Sequence, residues 1–255
     1  MWSGLNGGGT VVVATRNAGK VKEFAHRFGQ LGLTVKSLAD YEALPDIVED
    51  GETFAANAEK KAATIARMLG LPVLADDSGL CVDALGGAPG VFSARYAGEP
   101  SDDGANNRKL LAELGRMRMA PGAAGASVGA SAAATLAESG SGGESNCEAE
   151  DAAASAAMQE APAGASALSA ARFVCALALH DPATAATLHA EAACEGVIID
   201  APRGEHGFGY DPLFYVPAFG RTMAELTLDE KNAISHRGLA IERLLEKLQI
   251  EGAGR

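Results

Sequence analysis

The stretch "PVLADDSGLCVD" (72–83) places two aspartates, Asp76 and Asp77, at the end of a short apolar run and follows them with Ser78 and Gly79. Adjacent carboxylates withdrawn from water repel each other, so the pattern asks for a cation, a proton or several hydrogen-bond donors. Mg²⁺ prefers hard oxygen ligands and typically bridges one or two carboxylates to substrate phosphates. Glu49, in "VEDGETF", offers a further carboxylate for the same ion, although Asp46, Asp50 and Glu52 stand close by. Helix capping or a solvated turn is the competing reading of the acidic pair.

A second stretch, "ATRNAGK" (14–20), joins a β-branched run to a helical one. Backbone N–H groups and the positive end of a helix dipole at such a junction receive phosphate. It is not a P-loop, because Ala14 stands where that pattern needs glycine and Val21 where it needs the Mg²⁺-binding hydroxyl. Thr15, Asn17 and Lys20 remain as phosphate ligands; taken alone, the loop serves equally as a capped turn. In "HGFGYDP" (206–212), Phe208 lies between two glycines, where its ring can stack on a nucleobase, a contact worth about 1–3 kcal/mol. Tyr210 reads more readily as core. "DEKNAISHRG" (229–238) adds Lys231, His236 and Arg237 around a helix start capped by Ser235. Cations are disfavoured there unless an anionic or carbonyl-bearing ligand compensates. His26, His180 and His189 have no metal-type spacing and read as surface or packing residues.

The elements that must hold these groups follow from periodicity. "TVVVAT" (10–15) and "LTVKSL" (33–38) read as strands around a helix over 20–32, whose Val21, Phe24 and Phe28 share a face. Residues 52–70 form a helix stopped by Gly70, and "PVLAD" is a buried strand ending at the aspartates. A helix over 101–115 carries Leu110, Leu111 and Leu114, with Ser101 as its N-cap. Residues 172–181 and 186–200 flank the turn "DPAT" as a β-hairpin, and Ala240, Ile241, Leu244, Leu245 and Leu248 stripe the last helix. Mixed strands and helices with at least one antiparallel pair indicate an α/β or α+β fold around one extended sheet.

Between Arg116 and Ala171 the composition collapses to Ala, Gly and Ser, with almost nothing large and apolar to bury. This reads as a disordered insert over 117–170, within a single domain spanning 10–255 after a flexible 1–9. A net charge of −12 argues against a broad grip on nucleic acid, so an anionic ligand needs a local basic pocket. Cys81, Cys147, Cys175 and Cys194 have no paired spacing and read as free thiols. With no secretory signal or membrane span at the N-terminus, the cytosol is the default location.

In order, "TRNAGKVKEF", "EDGETFAANAEKKA", "LADDSGLCVDALGGAPGVFSARYAG", "GFGYDP" and "EKNAISHRG" make the chain resemble the inosine/xanthosine triphosphate pyrophosphatase family, outside the first ten residues and the insert. The resemblance implies an ITPase-like (anticodon-binding/Maf-like) fold, a long curved mixed sheet with helices in two lobes. It also implies Mg²⁺-dependent hydrolysis of ITP, dITP and XTP to monophosphate and pyrophosphate by a cytoplasmic homodimer, with no nucleic-acid or membrane partner. By motif position, Asp77 is the catalytic carboxylate and a metal ligand, supported by Asp76 and Glu49. Thr15, Arg16, Asn17, Ala18, Gly19, Lys20 and Lys231 hold phosphate, and Ser78 contacts substrate. Phe208, Gly209, Tyr210 and Asp211, with His236 and Arg237, form the base pocket. Two other readings are a nucleotide-binding regulator without hydrolysis and a Maf-like pyrophosphatase of pyrimidine or modified nucleotides. The acidic pair speaks against the first, and "SHR" with "GFGYDP" against the second.

Overall fold

The computed structural model describes residues 9–41, 44–45, 47–119 and 161–253. Strand β1 (Thr10–Val13) is short and β-branched, as a strand buried on both faces requires. It leads through an Asn17 N-cap into α1 (Ala18–Gly29), which buries Phe24 and Phe28. Strand β2 (Thr34–Ser37) returns parallel to β1. Thr53 caps α2 (Phe54–Leu69), and Gly70 ends it in the left-handed region at φ 65°. Strand β3 (Val73–Val82) pairs parallel to β1. Helix α3 (Asp103–Met119) precedes the long antiparallel pair β4 (Ala167–Asp181) and β5 (Ala186–Ile199). Strands β6 (Phe214–Val216) and β7 (Arg221–Thr222) extend the far edge, and α4 (Leu228–Ile234) and α5 (His236–Ala253) close the chain. The strands form a seven-stranded mixed sheet in the order β2-β1-β3-β4-β5-β6-β7, so the expected α/β class holds.

Three apolar clusters flank the sheet. On one face, Phe24 and Phe28 of α1 meet Ala240, Ile241 and Leu244 of α5 over Leu74 and Leu177. On the other, Phe54, Ala58, Ala62, Ile65 and Ala66 of α2 lie on Val73, Ala75, Ala176 and Ala178. Alanines on both sides let α2 approach closely, and full burial of Phe54 and Ile65 contributes about 1.5–3 kcal/mol each. The third cluster gathers Leu80, Val82, Leu110, Leu114, Phe173 and Phe214 at the other end of β3.

Four sequence expectations change. Strand β3 does not end at the aspartates but runs on to Val82, paired with β4 throughout; buried charge inside a strand is tolerated because ionic partners meet it there. Ser101 donates to the Ala94 carbonyl, and Asp102 caps α3 by accepting from the Ala105 amide. Ordered structure reaches into both ends of the expected 117–170 insert, since α3 continues to Met119 and β4 starts at Ala167; residues 120–160, like 1–8, lie outside the described residues. Cys175 and Cys194 are free, as expected, and lie buried, whereas Cys81 is disulfide-bonded, which cysteine spacing alone could not show. Among the described residues, no helix is long and apolar enough to cross a membrane.

Candidate active site

Strand β1 pairs with β3 only at Val73 and Leu74, and beyond that point β3 continues while β1 turns away. Carboxyl ends of parallel strands are where open α/β sheets leave a crevice. Here a cavity of about 380 Å³ opens, lined from the turn after β1, the middle of β3, α2, the 208–211 loop and the starts of α4 and α5. Thr15 Oγ1 accepts from the Asn17 amide at 3.2 Å and Asn17 Oδ1 from the Lys20 amide at 3.0 Å, so the turn is held by its own side chains. Thr15, Arg16, Asn17 and Lys20 line the cavity; Ala18 and Gly19 open α1 behind them.

The two aspartates part company. Successive side chains of a strand point to opposite faces, so Asp76 joins the side of α1 and α5 while Asp77 joins the side of α2. Asp76 Oδ2 receives Lys20 Nζ at 2.9 Å, Arg237 Nη2 at 3.1 Å and Ser78 Oγ at 3.1 Å. Burial pushes its carboxyl up, but Lys20, Arg237 and Lys61 outweigh that and hold it well below the usual range. Asp77 Oδ2 receives Asn57 Nδ2 at 2.9 Å, and Oδ1 lies 3.9 Å from Lys61 Nζ. For Asp77 burial prevails over Lys61 and Lys20, and the carboxyl is raised.

Lys61 also bonds Glu49 at 2.9 Å, so Glu49 and Asp77 converge on one cationic point. That selects Glu49 among its acidic neighbours: Asp50 pairs with the exposed Lys60, and Asp46 lies outside the described residues. The Glu49 segment is pinned where Arg95 donates to the Glu49 carbonyl at 3.0 Å and Asn57 accepts from the Gly51 amide at 2.7 Å. Among the described residues no group of three or more acidic, histidine or cysteine side chains forms a ready metal cage. Two converging carboxylates nevertheless suit Mg²⁺, which completes its shell with water and phosphate oxygens. Asp76, on the opposite face, keeps one buried oxygen, Oδ1, without a partner.

Behind the cavity runs a chain of alternating charge: Lys20, Asp76, Arg237, Glu23, Lys231 and Asp211. Arg237 bonds Glu23 directly; Lys231 stands 2.7 Å from Glu23 and 2.5 Å from Asp211. Three carboxylates thus balance three cations. Burial opposes each charge, yet Arg237 and Lys231 hold Glu23 low, while Asp211 and Glu23 hold Lys231 high. Asp211 itself is raised, burial prevailing over Lys231. Its Oδ2 also accepts the Phe208 amide at 2.9 Å, and a side chain on Gly207 (φ 78°) would collide with that oxygen.

Both of Arg237's terminal nitrogens are therefore engaged, by Glu23, Asp76 and the Ser78 hydroxyl at 2.8 Å, and it is not the free donor a base pocket suggests. Its Nε and the Nδ1 of His236 have no partner although buried. His236 stacks on Phe173 with centroids 4.9 Å apart, and burial, then Arg237 and Lys231, keep its pKa well below 6.5, so the ring is neutral at pH 7. Phe208 packs on Gly19 so closely that a β-carbon there would lie 2.4 Å from its ring, and Lys231 sits 4.9 Å from the ring centroid. Tyr210 is core, as its residue type suggested, with its hydroxyl donating to the Ser93 carbonyl at 2.9 Å.

Sequence reasoning missed Glu23, Asn57 and Lys61. The last two carried a signal: with Phe54, Ala58 and Ile65 they share the buried stripe of α2, where a polar residue needs a partner.

A cation-lined crevice at the carboxyl end of a parallel strand, walled at His236 and Arg237 by buried nitrogens without partners, defines an α/β protein built to receive a phosphorylated ligand. The chain belongs to the Ham1 family, which it matches over residues 11–146 and 142–247. It is 44% identical to the dITP/XTP pyrophosphatase of Geobacillus kaustophilus (strain HTA426) across 96% of this chain and 98% of that one. Among solved structures, a HAM1 protein from Coxiella burnetii matches with a TM-score of 0.67 at 35% identity, covering 94% of this chain and 98% of its own. The Staphylococcus aureus Ham1 protein matches with a TM-score of 0.67 at 33% identity, covering 95% and 99%.

Proposed function

We propose that this chain is a Mg²⁺-dependent nucleoside triphosphate pyrophosphatase that converts ITP, dITP and XTP to the monophosphate and pyrophosphate, acting in the cytoplasm as a homodimer. The supporting observation is what one cavity brings together: Glu49 and Asp77 around Lys61, Lys20 with the start of α1, and the unpartnered His236 Nδ1 and Arg237 Nε near Phe208. The dITP/XTP pyrophosphatase relatives support the same reading.

In this reading, Asp77 and Glu49 hold Mg²⁺, with Asp76 behind them. Bound there, the ion supplies neutralisation of phosphate charge and acidification of a water. Asp77, fixed by Asn57, orients the attacking water and takes its proton. Water oxygen bonds to the α-phosphorus as the bond to the β-phosphate oxygen breaks, and Lys20 and Lys61 face the charge gathering on pyrophosphate. Thr15, Arg16, Asn17 and the amides of Ala18 and Gly19 seat the phosphates, and Ser78 contacts the substrate. Phe208 and Gly209 flank the base, and Tyr210 and Asp211 hold that loop with Lys231, which Glu23 and Asp211 engage and which is therefore assigned to the loop and not, as its motif position implied, to phosphate. Arg237 through its Nε, and His236 as the Nδ1–H tautomer, offer donors to the C6 carbonyl of hypoxanthine or xanthine, where adenine presents its own donor.

The test is pyrophosphate release from ITP, XTP, dUTP and ATP in parallel with Mg²⁺. Release from ITP and XTP well above ATP and dUTP is expected, and Asp77→Asn should abolish it while nucleotide still binds. Equal release from all four, or near-normal turnover by Asp77→Asn, removes the reading.

A further inference from the structure

Helix α3 grips the 206–212 loop at a single residue through both of that residue's peptide groups. Asp103 Oδ2 accepts the Gly209 N–H at 2.7 Å, and Asn107 Nδ2 donates to the Gly209 carbonyl at 2.9 Å. The two side chains are four residues apart, one above the other on the same helix face. Gly209 holds a left-handed conformation at φ 62° between Phe208 and Tyr210. Its neighbours are anchored in different places, Phe208 against Gly19 and Tyr210 in the core through Ser93.

Helix α3 is a rigid reference for this grip. Leu110 and Leu114 are buried in the cluster that contains Tyr210, Leu213 and Phe214. Asn106, on the same helix, accepts from the Ala97 amide at 2.7 Å and donates to the Ala94 carbonyl at 3.1 Å, tying α3 to the segment that also lines the cavity. Asp103 itself lines the cavity. The distance from the Phe208 ring to the open Nδ1 of His236 and Nε of Arg237 therefore depends on where α3 holds Gly209.

We infer that Asp103 and Asn107 are positioning residues for base selection, clamping Gly209 so that a purine resting on Phe208 meets the Nε of Arg237 and the Nδ1 of His236 at hydrogen-bonding distance. The inference rests on the proposed reading of the cavity as a nucleobase pocket. Stacking is nearly indifferent to which base is present, whereas a fixed donor separates a carbonyl from an amino group. A loosened clamp keeps the stacking and loses the discrimination. Its signature is a change in relative, not absolute, turnover.

The experiment compares kcat/KM for ITP and ATP in the full chain with Asn107→Ala, Asp103→Ala and Asp103→Asn, with the Tm of each. The ratio of ITP to ATP is expected to fall about tenfold in both alanine variants. It should recover in Asp103→Asn, whose amide oxygen still accepts the Gly209 N–H. Wild-type discrimination that survives both alanine substitutions overturns the clamp and leaves the proposed function standing. So does an equal proportional loss on both nucleotides, which is what a merely structural role produces. A wild-type protein that does not distinguish ITP from ATP overturns the proposed selectivity itself, and the clamp with it. Should Asn107→Ala not fold, Asp103→Ala, at an exposed helix start, decides alone.

Discussion

Glu23→Gln keeps the shape of a buried side chain and removes one charge from the centre of the six-membered chain behind the cavity. In the wild type, Glu23 lies between Arg237 and Lys231, with side-chain exposures of 4%, 1% and 5%. Without its charge, two carboxylates face three cations. Breaking a buried ion pair by removing one partner costs about 3–5 kcal/mol. At about 2–4 °C per kcal/mol for a protein of this size, the thermal midpoint should drop by about 6–20 °C. The structure also specifies a rescue. Adding Arg237→Met leaves Lys20 with Asp76 and Lys231 with Asp211 as two closed pairs, so the double variant should be more stable than the sum of its parts by at least about 1 kcal/mol. Thermal unfolding followed by circular dichroism, without nucleotide, reads both values. A drop below about 3 °C for Glu23→Gln, or strict additivity in the double variant, would refute the view that these six groups compensate one another as a unit.

Exhaustive chelation should abolish ITP turnover and Mg²⁺ should restore it; undiminished cleavage in EDTA would discard Glu49 and Asp77 as metal ligands. His236 is kept neutral with a pKa below 6.5, so on acidification through that value the unfolded chain takes up a proton that the folded one refuses. Stability should consequently fall as pH drops below about 6.5, by up to about 1.4 kcal/mol per pH unit. His236→Gln should flatten that slope, and superimposable pH profiles of Tm would count against it. Replacing residues 120–160, Cys147 excepted, by short Gly/Ser linkers should leave ITP turnover intact, because loop closure changes by only roughly 0.6 kcal/mol per doubling of length. A large loss from that deletion would assign the segment a role.

Much of the site was legible because its residue types conflict with their local setting. Lys231, His236 and Arg237 crowd a helix start, Phe208 stands between glycines, and "ATRNAGK" joins strand to helix; all line the cavity or its wall. What sequence could not supply was direction. Asp76 and Asp77 read as one acidic pair sharing one cation, yet they serve opposite faces of β3, and the strand boundary was misplaced for the same reason. Arg237 read as an open donor, because its partner Glu23 lies 214 residues away in sequence and only the folded chain joins them. Lys61 and Asn57 were recoverable from the phase of α2, had a polar residue on an apolar stripe been taken as a partner seeking a mate.

The division of labour along β3 makes this enzyme unusually intolerant of one kind of genetic change. Inserting or deleting a single codon upstream of Asp76 within the strand would rotate everything downstream by half a turn. The carboxylate now locked to arginine would be exchanged with the one beside α2, and for a neutral codon no charge would be gained or lost. Lineages of this fold should therefore vary freely in loop length while conserving the residue count between Val73 and Val82.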